Sequence, residues 1–191
     1  MSEKKICALI SPANKALVYS DKIKYALIKL GNDTEKFKDK KIIIASKLLK
    51  KTSEECNFKE FKILKEFSGA DFKDTICSHP LKAMGYNYDV PMLQGDFVTL
   101  DQGTGIVHAA PSHGPDDFNL CLKHDIKASN TINDGGLYSE EIPFFSGVHI
   151  FKADSQVIEK LAEHKSLLGN GKLQHSFPHS WRSKAPLVYR A

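Results

Sequence analysis

Cysteine is scarce in this chain. The four residues Cys7, Cys56, Cys77 and Cys121 stand far apart, and none forms a CxxC pair. That spacing argues against a disulfide scaffold and a thiolate zinc site, and reads as reduced, partly buried thiols of a cytosolic protein. His175 and His179 are four apart, but no cysteine pair accompanies them, so no metal is expected. No apolar run approaches the roughly 18 residues that a membrane span needs, and no secretory leader is recognisable. No internal repeat or low-complexity tract appears. Acidic residues stop at Glu163.

What is present is ordinary for a soluble globular protein. The 191 residues are 41% hydrophobic and 26% charged, with a formal net charge of +4. A chain of this length buries a real core as one large domain. The mild positive charge does not by itself announce nucleic acid. Its distribution is more informative. Beyond Glu163 come Lys165, Lys172, Arg182, Lys184 and Arg190, interleaved with Phe177, Trp181 and Tyr189. A basic extension over about 172–191 suits a phosphate backbone, with Lys172, Arg182 and Lys184 as candidate contacts. A solvated terminus reads equally well from the same residues.

Periodicity and breakers suggest many short strands and three helices. Strands are expected over 6–10, 15–19 and 23–30, followed by a turn at Gly31-Asn32-Asp33. Ile42 to Ile44 form a β-branched run. Ser46 is positioned as the N-cap of a helix running to about Cys56. Residues 58–67, 93–100 and 106–110 read as strands, with 69–91 rich in loops and an Asp101-Gln102-Gly103 turn. A helix starts at Pro115 and runs to about His124, with Phe118, Cys121 and Leu122 facing the core. Asp134-Gly135-Gly136 makes a further turn, and Pro143-Phe144-Phe145 docks a loop. Asp154 caps a last helix with the stripe Val157, Ile158 and Leu161, and Leu168 beyond. The predicted class is mixed α/β, mainly β, with a β-barrel-like core and a few surface helices.

The stretch that concentrates chemistry is GTGIVHAAPSHGPDDF, Gly103 to Phe118. It reads as a glycine turn, a short strand, an irregular loop and a helix N-terminus opened by Pro115. Such a junction gathers backbone N–H groups, His108, His113, Asp116 and Asp117 in a small space. Negative charge in a first helical turn is favoured by roughly 0.3–1 kcal/mol, which accounts for Asp116. His113 before Gly114 suits a turn as well as a ligand, and His108 suits a strand end as well as a pocket wall.

The same stretch resembles the signature of the editing domain inserted in isoleucyl-tRNA synthetase. So do Ser11-Pro12-Ala13-Asn14-Lys15-Ala16-Leu17 and Phe177-Pro178-His179-Ser180-Trp181-Arg182-Ser183-Lys184-Ala185-Pro186-Leu187. The three segments occur in the family's order. Leucyl and valyl editing domains share the GTG start, whereas His108 and the His113-Gly114 pair look isoleucyl-like.

The resemblance implies a proofreading esterase within a larger class I synthetase, occupying residues 1–191. A synthetic site cannot strongly reject an amino acid smaller by one methylene; isoleucine against valine is the worked example of that limit. The inserted domain is expected to hydrolyse the ester of valine with the tRNA 3′ end, without a cofactor, a metal or a covalent intermediate. Its partners are then the valine-charged 3′ end of tRNA(Ile) and the rest of the synthetase, with no membrane and a monomeric, cytoplasmic state. Asp117 matches the family aspartate that holds the substrate's α-ammonium, and is the catalytic candidate. His108 matches the histidine that helps shut out isoleucine. Gly103, Thr104 and Gly105 border the substrate, and His113 touches it or braces the loop.

The pattern is incomplete. The family's threonine-rich, TTTPWT-like peptide precedes the Pro-Ala-Asn segment, but here Ile6-Cys7-Ala8-Leu9-Ile10-Ser11 leads directly to Pro12. Position 109 is Ala where threonine or glutamine is common. A second expectation therefore stands beside the first: a recognition module for the aminoacyl 3′ end that does not hydrolyse it. HIGH-type and KMSKS-type motifs are absent from the sequence, so it carries no amino-acid activation chemistry of its own.

Overall fold

The computed structural model of the chain describes residues 2–5, 13–31, 38–101, 103–173, 179–184 and 186–188. The strand expected over 6–10, the Asn32-Asp33 part of the first turn and Gln102 lie outside them. So do Cys7, Ser11, Pro12, His175, Phe177, Tyr189 and Arg190.

Three sheets form among the described residues. The first pairs β1 (Ser2–Lys5) with β9 (Asn170–Leu173), antiparallel. The second is four-stranded and contains β2 (Ala16–Tyr19), β6 (Ile76–Ser78), β7 (Asp89–Gln94) and β8 (Val107–Ala109), in the order β6-β7-β2-β8. Within it β2 runs parallel to β7 and antiparallel to β8. The third is antiparallel, with β3 (Lys24–Leu30) between β4 (Lys41–Ala45) and β5 (Phe61–Ser68). Three α-helices decorate the sheets: α1 (Leu49–Cys56), α2 (Pro115–Lys123) and α3 (Ala153–Glu163). The class is mixed α/β as expected, but these sheets do not close into one barrel.

Two apolar clusters hold the chain together. The larger collects Val18, Tyr25, Ile28, Ile44, Phe58 and Cys121 between the four- and three-stranded sheets. Tyr25, Phe67 and Phe72 meet there as aromatic pairs, with centroids 5.0–6.2 Å apart. The smaller packs Val157 and Leu161 of α3 against Tyr86, Tyr138 and Phe145. The Pro143–Phe145 segment docks through Phe145, while Phe144 stays exposed.

Several boundaries differ from the sequence reading. The strand expected over 93–100 is β7, shifted to 89–94, because the Gly95 N–H donates to the Tyr19 carbonyl at 2.9 Å and the chain turns away. Pro91 sits within it, opposite Ile76. Ser46 caps no helix. It opens a 3₁₀ turn over Ser46–Leu48, and its hydroxyl donates to Glu66 across the sheet at 3.0 Å. α3 starts one residue before Asp154, after a 3₁₀ turn capped by His149, whose Nδ1 accepts the Phe151 N–H. Asp154 occupies the first turn instead.

The largest correction concerns α2. Phe118 is 42% exposed and Leu122 61% exposed, whereas Cys121 is fully buried. The inward face is Asp117, Leu120 and Cys121, at i, i+3 and i+4. The helix turns its aspartate toward the protein because the end of β8 supplies a hydrogen-bond donor there.

Candidate functional site

The site begins with β8. Its register places Ala109 opposite Ala16, His108 opposite Leu17 and Val107 opposite Val18. Ala16, Val18 and Ala109 are fully buried, so by alternation His108 falls on the other face, where it is exposed. That exposure removes the reading of His108 as a core histidine.

Beyond β8 the backbone tightens. The His113 N–H donates to the Ala110 carbonyl at 2.9 Å, and the Ser112 hydroxyl donates to the Ser129 carbonyl at 2.7 Å. These bonds turn the chain into α2, which starts at Pro115 after an extended Gly114. His113 thus braces the loop through its backbone. Asp116 is exposed in the first helical turn.

Asp117 is half-buried, and its Oδ2 accepts the Ala110 N–H at 2.9 Å. Its Oδ1 takes no hydrogen bond from a described residue. One oxygen is therefore spent on orientation, while the other remains for a cationic or N–H donor. The carboxylate also acts on its own helix: burial first, and the Asp117 charge second, push the Cys121 thiol up to about 11. Cys56 is pushed up to about 11 as well, mainly by burial, and Cys77 upward by burial alone. These thiols stay protonated at neutral pH.

The Gly103–Gly105 turn is anchored from inside the protein. The Gly103 carbonyl accepts the Thr52 hydroxyl at 3.0 Å, and the Gly105 carbonyl accepts the Tyr25 hydroxyl at 2.8 Å. The Thr104 carbonyl accepts the Ala45 N–H at 2.8 Å. Gly105 has φ +76°, and a Cβ there would lie 2.5 Å from that of Ala45. The close approach at Gly105 is thus to β4. Gly103, at φ +77°, faces open space.

The basic extension is organised separately. Arg182 lies over the Trp181 ring at 5.1 Å, and the Lys184 N–H donates to the Ser180 carbonyl. Both side chains are exposed. Lys172 lies in β9 opposite Glu3.

Sequence reasoning passed over an aromatic cluster beside β2. His79 is 5% exposed and stacks on Tyr86 at 4.6 Å, with Tyr88 at 5.4 Å. Its Nδ1 accepts the Leu81 N–H, and burial, aided by the Lys15 charge, lowers its pKa to about 4. Lys15 itself, although part of a recognised motif, carried no assignment. Among the described residues no group of three His, Cys, Asp or Glu side chains is arranged to hold a metal ion. No helix among them is long and apolar enough to cross a membrane.

Against this geometry, comparisons with known proteins agree with one another. Residues 26–161 match the family described as the editing domain of leucyl-tRNA synthetase. The isoleucine–tRNA ligase of Pelagibacter ubique is 59% identical over 180 residues, spanning 94% of this chain and 20% of the ligase. The ligases of Gluconobacter oxydans and Psychromonas ingrahamii are 40% and 37% identical, again over 94% of this chain, and over 20% and 18% of their own lengths. The chain therefore spans about a fifth of the curated relatives it matches. The crystal structure of GlLeuRS-CP1 superposes with a TM-score of 0.61 at 16% identity, covering 87% of this chain and 79% of that one, a likeness of fold.

Proposed function

Because the chain belongs to the family of aminoacyl-tRNA synthetase editing domains, we propose that it proofreads within an isoleucine–tRNA ligase by hydrolysing valyl-tRNA(Ile). The observation that carries this reading is Asp117, held by the Ala110 amide through Oδ2, with an Oδ1 that takes no hydrogen bond from a described residue. An aminoacyl ester of tRNA presents an α-ammonium, and a fixed carboxylate meets it with a charge-assisted hydrogen bond. His108 lies where its bulk limits the amino-acid side chain, so valine enters and isoleucine is turned away. Water then attacks the ester carbonyl. The acyl carbon–oxygen bond breaks, the ribose oxygen takes a proton, and valine leaves. Orientation and electrostatics supply the acceleration, with no metal and no covalent intermediate required. Gly103 and Thr104 border the substrate, while Gly105 packs inward against β4 and supports the turn; Lys172, Arg182 and Lys184 contact the tRNA. The domain works as a cytoplasmic, monomeric insertion in the ligase, needs no cofactor and has the rest of the ligase as its permanent partner.

The test is deacylation of valyl-tRNA(Ile) and isoleucyl-tRNA(Ile) by this chain at low salt and high protein concentration. Selective loss of valine, abolished by Asp117→Ala, is the expected result. Equal hydrolysis of both esters, or activity untouched by that substitution, overturns the assignment.

A second reading rests on one specific feature, the direct run from Ile6-Cys7-Ala8-Leu9-Ile10-Ser11 into Pro12 without the threonine-rich peptide. On it, the domain binds the aminoacyl 3′ end and leaves the ester intact. Restoring a TTTPWT-like peptide before Pro12 separates the two. Hydrolysis by both chains supports the esterase. Hydrolysis by the restored chain alone supports the recognition module.

A further inference from the structure

The peptide unit between Ala109 and Ala110 is held on both sides. Its N–H donates to Asp117, and its C=O accepts the Lys15 N–H at 2.9 Å. Lys15 immediately precedes β2, whose Ala16 faces the core. Alternation puts Lys15 on the same face as Leu17, and Leu17 pairs with His108. The Lys15 side chain therefore shares a face with His108, and its backbone sits one peptide away from the Asp117 tie.

This ammonium is unusually placed. It is half-buried, and burial lowers its pKa from the ordinary lysine value. None of the ion pairs between described residues includes it. Its described side-chain contact is the face of the Tyr88 ring, 4.4 Å away. Tyr88 is itself fixed, its hydroxyl donating to the Asn14 carbonyl at 3.2 Å and its ring leaning on His79. A ring face returns only part of the hydration that a lysine loses on burial. His79, neutral at pH 7, adds no competing charge. The result is a poorly solvated cation, aimed along a fixed aromatic surface, with anion-binding capacity to spare.

The substrate class proposed above determines which anion this is. The carboxyl group of an aminoacyl-tRNA is esterified, so that end carries no carboxylate. Its nearest anion is the phosphodiester on the 5′ side of the terminal nucleoside. We propose that Lys15 binds this phosphate, while Asp117 binds the ammonium at the other end of the same aminoacyl nucleotide. The inference rests on the reading of the site as an editing pocket, and it adds a substrate-binding residue to that reading.

The test uses two amide-linked, non-hydrolysable probes: 3′-deoxy-3′-(valylamino)adenosine with a 5′-phosphate, and the same nucleoside with a 5′-hydroxyl. The unaltered chain is expected to bind the phosphorylated probe roughly tenfold tighter, the worth of one charge-assisted contact. Lys15→Met, which keeps the aliphatic stem over Tyr88, removes that preference and leaves affinity for the 5′-hydroxyl probe unchanged. Lys15→Arg retains the preference, and Lys15→Gln serves if the methionine variant does not fold. Binding of both probes with equal affinity by the unaltered chain overturns the Lys15 assignment and leaves the editing site standing. A preference that survives Lys15→Met does the same. Failure of both probes to bind the unaltered chain overturns the editing site and the Lys15 assignment together.

Discussion

Asp117 accepts the Ala110 N–H through Oδ2 at 2.9 Å, which ties the first turn of α2 to the end of β8. The bond spans seven residues and encloses the whole loop that carries His113. On the proposed function one carboxylate performs two tasks: Oδ2 orients the loop, and Oδ1, which takes no hydrogen bond from a described residue, is the oxygen proposed to meet the substrate's ammonium.

The two tasks separate by substitution. Asp117→Asn keeps a side-chain carbonyl for the Ala110 amide and removes the charge. Its unfolding free energy stays within about 1 kcal/mol of the parent, while affinity for a valyl-adenosine analogue falls tenfold or more. Asp117→Ala loses both and costs a further ~1 kcal/mol of stability. Urea melts read one effect and ligand titration the other. Unchanged affinity in Asp117→Asn would remove the ammonium-binding role.

The glycine turn before β8 is predicted to be a stability element. Gly105→Ala puts a methyl group 2.5 Å from the Ala45 Cβ at φ +76°. Left-handed backbone and overpacking each cost roughly 1–3 kcal/mol, so together roughly 2–6 kcal/mol. Tyr25→Phe, made alone, removes the hydroxyl that donates to the Gly105 carbonyl at 2.8 Å and costs about 1–3 kcal/mol. The lowered denaturation midpoint is the readout. Gly103→Ala meets no neighbouring atom and carries only the backbone term.

Stability responds to acid through His79. Its pKa is about 4 in the folded chain, against an ordinary value near 6.5. Between those values the unfolded chain binds more protons than the folded one, so stability rises with pH across this window. On acidification it is lost from about pH 6.5 down to about pH 4, by on the order of 3 kcal/mol, and does not change further for this group below that. His79→Phe keeps an aromatic ring against Tyr86 and flattens this segment of the curve. Thermal melts at pH 4.5 and pH 7 compare the two chains, and an unaltered slope in the variant would assign the effect to other groups.

The orientation of α2 is open to a simple check. Leu122→Lys falls on an exposed position and changes unfolding free energy by about 0.5 kcal/mol or less. Cys121→Ser places a hydroxyl where nothing is exposed and costs roughly 1–3 kcal/mol. A large loss from Leu122→Lys would restore the sequence-derived helix face.

The sequence by itself determined the local grammar. Pro115 behind an extended Gly114 starts α2 within one residue of expectation, and the β-branched run Ile42–Ile44 lies inside β4. The GTG turn, His108, His113 and Asp117 were legible because their spacing is local and residue-specific, and the family followed from three ordered motifs. What the tertiary structure alone decided is where those residues point. Helical periodicity put Phe118 and Leu122 inside, because apolar character was the only signal available. The fold instead turns Asp117 inward, since the Ala110 N–H waits there, and an unpaired buried amide costs more than an exposed leucine. Strand register put Lys15 on the same face as His108, across 93 residues of sequence, and no local pattern encodes that. Pairing between distant segments, satisfied hydrogen bond by hydrogen bond, is what turns a readable motif into a site.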